Sequence, residues 1–163
     1  MKSKKPVTPD AARIRMADLC ARSEQCEADI RQKLYKMGMT SAQTAEIIEY
    51  LIDHKFIDNA RFARSFARDK CRFSSWGKYK IQSALAAKRI SSKDIAQGIE
   101  GIEESDYREA LRRVAMAKAK GIDLFGDDAR ENRMKLFRHI ISRGFESNLS
   151  ADMVRAIIKD SKP

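Results

Sequence analysis

Residues 57–90, IDNARFARSFARDKCRFSSWGKYKIQSALAAKRI, settle what kind of chain this is. Arg61, Arg64, Arg68 and Arg72 fall at i, i+3, i+7 and i+11, which in a helix lines four guanidinium groups along one stripe. Phe62 and Phe66 sit one turn apart on another face, and Ile81 and Leu85 repeat that spacing further on. One side reads as core and the other as an anion-seeking surface. From Arg61 to Ile90 nine Lys and Arg stand against one acid, Asp69, so most of the formal net charge of +10 lies in under a fifth of the chain.

Outward from this stretch, composition narrows the class. The chain has 163 residues, 43% of them apolar and 34% charged, the balance of a folded, charge-rich protein. Its three prolines are Pro6, Pro9 and Pro163, so none interrupts the chain between Asp10 and Lys162, and an all-helical fold is expected. A basic excess of this size points to a polyanion or to an acidic protein surface. No apolar run approaches the about 20 residues that span a bilayer. The opening MKSKKPVTPD lacks the apolar middle of a secretory signal, so cytoplasmic residence is expected, with no membrane association. Cys20, Cys26 and Cys71 are odd in number and show no CxxC spacing, which argues against a zinc site or a disulfide framework.

Caps and periodicity place the helices. Thr8 caps a first helix with Pro9 at its first position, with Ile14, Ala17 and Ala21 along one side. Ser23 is expected to cap a second, carrying Cys26, Ile30, Leu34 and Met37 to Gly38, which suits a left-handed ending. Thr40 and Gln43 form a capping box for a third, and Asp58 caps the basic helix. The pattern then returns. Ile30, Leu34, Met39, Ile48 and Leu51 are matched 51 residues on by Ile81, Leu85, Ile90, Ile99 and Ile102. A third set, Leu136, Ile140, Phe145, Val154 and Ile157, follows a further 55 residues on. The third helix of the second copy is expected to begin at Ser105 or Asp106.

These spacings predict an elongated, slightly curved tandem array of three-helix modules, a compact single bundle being the competing shape. The expected division is a disordered basic tail over 1–8, an N-terminal helix over 9–22, one three-helix repeat over 23–73, a second over 74–120 and a partial third over 121–163.

No catalytic pattern stands out. The seven glycines are isolated, so no phosphate-binding loop is present, and the paired acids Glu103-Glu104 and Asp127-Asp128 sit at helix starts, where the dipole accounts for them. Neither enzymatic activity nor a cofactor or metal is expected. Trp76, beside Lys78, Tyr79 and Lys80, suits either a stacking role on single-stranded nucleic acid or, preferably, a staple at the start of the Ile81 helix.

Three segments, ARSEQCEADIRQKLYKMGM (21–39), LIDHKFIDNARFARSFARDK (51–70) and WGKYKIQSALAAKRI (76–90), together resemble the RecX family of bacterial recombination regulators. The motif residues are Asp58, Arg61, Phe62 and Ala63 in the second segment and Gly77, Ile81 and Leu85 in the third. Trp76-Gly77 stands where the family usually has Gly-Pro, and Arg89 where it usually has Gly at a left-handed turn.

The resemblance implies a non-catalytic monomer that binds in the groove of the RecA recombinase filament on DNA and dampens its ATPase, strand-exchange and coprotease activities, within recombination, repair and the SOS response. Contact with single- or double-stranded DNA is expected to be weak or indirect. The filament- and DNA-binding residues expected on this reading are Arg61, Arg64, Arg68, Arg72, Lys78, Lys80, Lys88 and Arg89, with Phe62, Phe66, Ile81 and Leu85 in the core. The alternatives are a helical protein acting on naked DNA without a recombinase, and an adaptor for an acidic protein.

Overall fold

Thr8 accepts a hydrogen bond from the Ala11 N–H and Pro9 opens the first helix, as a capped start with proline at N1 requires. In the computed structural model, which describes residues 6–162, nine helices follow one another among the described residues. They are α1 (Pro9–Arg22), α2 (Glu27–Lys36), α3 (Ser41–Asp53), α4 (Asn59–Ser74), α5 (Lys78–Ala87), α6 (Ser92–Glu100), α7 (Glu104–Ala119), α8 (Ala129–Ser142) and α9 (Ser147–Asp160). The tail expected over 1–8 lies, for residues 1–5, outside the described residues.

The repeat seen in the apolar residues is written in the backbone too. Helices α3, α6 and α9 begin at Ser41, Ser92 and Ser147, at the same offsets of 51 and 55 residues. Gly38, Arg89 and Gly144 occupy the equivalent left-handed turn, at φ 82°, 58° and 93°. Each donates its N–H to the carbonyl three residues back, at 2.9 Å in all three turns.

Packing groups the helices differently from the expected frame. Helix α1 packs on α3, and its Ala12 and Met16 share a buried cluster with Ile30, Leu34, Ile47, Ile48 and Leu51. Helices α4, α5 and α6 pack on one another, as do α7, α8 and α9. The units are therefore α1–α3, α4–α6 and α7–α9, one helix out of step with the expected 23–73 and 74–120, and the third is complete. Ala12 and Met16, Phe62 and Phe66, and Tyr107 and Leu111 are the fourth and eighth residues of the three opening helices, and all six face core. The first pair hid the equivalence, because an alanine carries little hydrophobic signal.

Three local expectations are corrected with it. Ile14, expected inward, is 55% exposed. Ser23 ends α1 and does not cap α2, whose N-cap is the buried Cys26; the Glu27 N–H is satisfied by Asn59 Oδ1 of α4 at 3.0 Å. Helix α7 opens at Glu104, leaving Asp106 inside its first turn.

Helices α4 and α6 cross in close contact. A Cβ on Gly98 would lie 2.9 Å from the Ala63 carbonyl oxygen, so the crossing needs a glycine facing an alanine. Units two and three share one continuous core, running from Phe62, Ile81 and Leu85 to Tyr107, Leu136, Ile140 and Phe145. The first unit keeps a core of its own.

Candidate anion-binding face

The arginine stripe of α4 divides in the fold. At its N-terminal end Arg61 reaches back across the joint between the first two units. Its Nε lies 2.5 Å from Glu24 Oε1, and its Nη2 donates to the Lys55 and Phe56 carbonyls at 3.1 and 3.3 Å. At the other end Arg72 Nε lies 2.5 Å from Asp106 Oδ2, and that hydrogen bond holds the guanidinium above its ordinary pKa. Arg113 closes the same corner, donating to the Arg72 carbonyl at 2.8 Å and to Ser75 Oγ at 3.0 Å. Both ends of the stripe therefore tie helices together.

The middle of the stripe faces water. Arg64 is exposed and has no carboxylate partner among the described residues. One turn on, Arg68 contacts only its own helix, at Asp69 Oδ1 (3.1 Å) and Ser65 Oγ (3.2 Å). An exposed pair of that kind contributes about 0–1 kcal/mol, so the guanidinium exchanges readily with an outside anion.

The four cations beyond α4 divide the same way. Lys78 lies 4.6 Å from the Tyr107 ring centroid and 4.0 Å from Glu146 Oε1, while its backbone N–H donates to Tyr107 Oη at 3.2 Å. Lys88 is held by Asp29 Oδ2 at 2.7 Å and stands over the Phe62 ring. Lys80 Nζ instead lies 4.7 Å from the Trp76 ring centroid with no carboxylate partner among the described residues, and Arg89 is exposed with none either. The structure thus leaves Arg64, Arg68 and Arg89 exposed and Lys80 half-buried over Trp76, none of the four held by a carboxylate of another element among the described residues. Arg61, Arg72, Lys78 and Lys88 are engaged between elements.

Sequence reading missed Lys70. It lies 4.8 Å from Trp76 and 5.5 Å from Phe66, and Trp76 edges onto Phe66 of α4 at 6.3 Å, half-buried against the core. The i, i+4 relation of Phe66 and Lys70 was the available signal. The motif residues are all structural: Asp58 accepts from the Arg61 N–H at 2.9 Å, Phe62 and Ala63 are buried, and Ile81 and Leu85 are fully enclosed.

Burial pushes the Cys20, Cys26 and Cys71 thiols up, so they are protonated and weakly nucleophilic at neutral pH. Among the described residues no group of His, Cys, Asp and Glu is placed to hold a metal ion, and no helix is long and apolar enough to cross a membrane.

The family description "RecX, second three-helix domain" matches residues 58–99, which are α4 to α6 with the Asp58 cap. The regulatory protein RecX of Prosthecochloris aestuarii is 30% identical over 124 residues, covering 76% of this chain and 78% of that protein. RecX of Clostridium botulinum strain Eklund 17B is 26% identical over 137 residues, 84% of this chain but 64% of the relative's length. Among solved structures, a regulatory protein RecX superposes with a TM-score of 0.77 at 22% identity, over 94% of this chain and 72% of that one. RecX from Lactobacillus salivarius gives 0.73 at 18%, over 93% and 95%. Those two likenesses concern the fold. Identity, coverage and the matched three-helix unit together place this chain in the RecX family of regulatory proteins.

Proposed function

We propose that this protein regulates the RecA recombinase by binding its filament on DNA, as a monomer in the cytoplasm, and lowers the filament's ATPase, strand-exchange and coprotease activities. The observation that carries this reading is the pair Arg64 and Arg68. They stand one turn apart on the central unit's opening helix, facing water while the arginines on either side are bound internally. A pair of solvent-facing guanidiniums on a rigid helix suits phosphate or carboxylate groups. Contacts that favour one filament state over another shift its population.

The test is the ATPase rate of the cognate RecA on single-stranded DNA, titrated with this protein and with the Arg64→Ala/Arg68→Ala variant. Inhibition at well under one molecule per recombinase, lost in the variant, is expected. Inhibition that appears only when the protein is abundant enough to cover the DNA favours competition for phosphates and the naked-DNA alternative.

A further inference from the structure

The first two units each receive the next one at the start of their second helix. In the first unit the Glu27 N–H there bonds Asn59 Oδ1 of α4 at 3.0 Å, and in the second Lys78 stands 4.6 Å from the Tyr107 ring of α7. The apolar offsets of 51 and 55 residues put Arg133 of α8 at the same register in the third unit. What lies on Arg133 is the connection from α7 to α8, which runs over residues 120–128 where 23–26 and 75–77 suffice in the other units. Arg133 Nε donates to the Leu124 carbonyl at 3.0 Å, its guanidinium lies 5.7 Å from the Phe125 ring, and Asn132 Nδ2 donates to the Asp123 carbonyl at 2.8 Å. The connection rests against the end of α7, the start of α8 and the end of α9, as an opening helix rests on the unit before it. It covers that face loosely: Leu124 is buried, but Phe125 is 38% exposed, and a cavity of about 270 Å³ stays between them and Met116, Ala119 and Ile157.

Charge says what else the face fits. At the first joint the acids Glu24 and Asp29 receive the cations Arg61 and Lys88. At the second the signs reverse, and Arg72 and Lys78 receive Asp106 and Glu146. On the third unit Arg130, Arg133 and Lys135 stand at the registers of Glu24, Glu27 and Asp29, so its face is cationic. The connection itself, IDLFGDD over 122–128, is acidic and aromatic, as is the first turn of α7, ESDY over 104–107.

We infer that the start of α8 is a docking face for an acidic helix of a partner protein with an aromatic residue in its first turn, and that residues 120–128 are a strap seated on it until that helix arrives. Phe125 holds the place on Arg133 that the incoming ring takes, as Tyr107 takes it on Lys78, and the incoming carboxylates meet Arg130 and Lys135. Lys135 is tied only to Glu131 one turn back, an exchangeable pair. A helix is the occupant favoured because both internal joints of the array are made by one. The face lies on a different unit from Arg64 and Arg68 and goes beyond the reading above.

The probe is a labelled peptide of residues 103–114, EESDYREALRRV, the chain's own acidic opening helix, titrated by fluorescence anisotropy against the full chain without recombinase or DNA. Phe125→Ala unseats the strap while leaving Leu124 in the core, and should lower the Kd about threefold or more by making the face available. Asn132→Ala removes the bond to the Asp123 carbonyl without touching an apolar residue, and should act in the same direction. Adding Arg133→Ala to Phe125→Ala should raise the Kd about fivefold or more, and so should replacing the peptide's Asp106 by Asn and Tyr107 by Ala. Four results overturn the assignment: no binding to either unseated variant at about 1 mM, a Kd unchanged by unseating, a Kd indifferent to Arg133 or to the peptide's own substitutions, or equal binding to polyglutamate of matched length. Failure here leaves the Arg64/Arg68 ATPase test standing, and failure of that test leaves the docking face standing.

Discussion

Gly77 and Gly144 meet backbone to backbone. A Cβ on Gly77 would lie 2.2 Å from the Gly144 carbonyl carbon, and one on Gly144 would lie 2.5 Å from Lys80 Cβ. Around them the Gly77 N–H donates to the Arg143 carbonyl at 2.8 Å, and the Tyr79 N–H to the Gly144 carbonyl at 3.0 Å. The start of α5 is thus bonded directly to the turn between α8 and α9, which is how units two and three come to share one core.

Gly77→Ala should therefore be costly, lowering the unfolding free energy by about 3 kcal/mol, because the colliding atoms are backbone and cannot rotate away. Gly38→Ala is the control. Its φ is 82° with nothing within 4 Å of the added Cβ, so only the left-handed backbone is penalised, by about 1 kcal/mol. Urea unfolding of the two variants compares them, and equal losses would show that the contact is not rigid.

Arg61 and Arg64 should separate fold from function. Arg61→Ala removes three bonds across the first joint, two to backbone carbonyls, and should cost about 2 kcal/mol. Arg64→Ala touches no such bond and should stay within about 0.5 kcal/mol of the native stability while weakening filament binding. Thermal melts read beside the ATPase titration decide it. A normal melt for Arg61→Ala with lost inhibition would move Arg61 to the binding surface.

The same two arginines show how far the sequence reached. Helical spacing put both on one stripe, and that geometry holds. Spacing says nothing of partners distant in sequence, however, and Glu24, 37 residues before Arg61, is what removes Arg61 from the open surface. Likewise, Asp106 engages Arg72 from the next unit. The second and third helices of each unit were legible because Ile, Leu and Val mark their buried faces. The first helix of unit one was misread as a solitary element because Ala12 is small and Ile14 is exposed. Asn59 capping α2 from 32 residues away left no local trace at all.

Tyr107 makes stability depend on pH in the alkaline range. Its hydroxyl donates to Glu146 and accepts from the Lys78 N–H, and burial first, then the Glu146 bond, hold its pKa far above the ordinary phenol value. The folded state keeps a proton that the unfolded state releases above about pH 10, so this contribution is complete below pH 10 and is lost as pH rises beyond it. Stability measured between about pH 9 and pH 11 should fall in the native protein and fall less in Tyr107→Phe. At neutral pH the same variant should cost about 1–3 kcal/mol, since Glu146 and the Lys78 N–H lose their partner. Parallel pH profiles for the two proteins would remove Tyr107 from this role.

The first unit should open independently of the other two. Its core is a separate cluster, and the joint to unit two is mostly polar: Arg61 with Glu24, Lys88 with Asp29, and Asn59 with the Glu27 N–H, beside the small apolar Cys26 and Ala28. Both ion pairs are about a third exposed, so water replaces them at a cost of about 0–1 kcal/mol each. Leu34→Ala and Leu136→Ala each empty a fully buried site and should each cost about 3 kcal/mol within their own core. Their reach should differ. Amide exchange in Leu34→Ala should accelerate across α1 to α3 and stay near native in α4 to α9, whereas Leu136→Ala should accelerate α4 to α9 together, because that core is continuous. Acceleration spread evenly over all nine helices in both variants would mean that the polar joint couples the cores as tightly as apolar packing does.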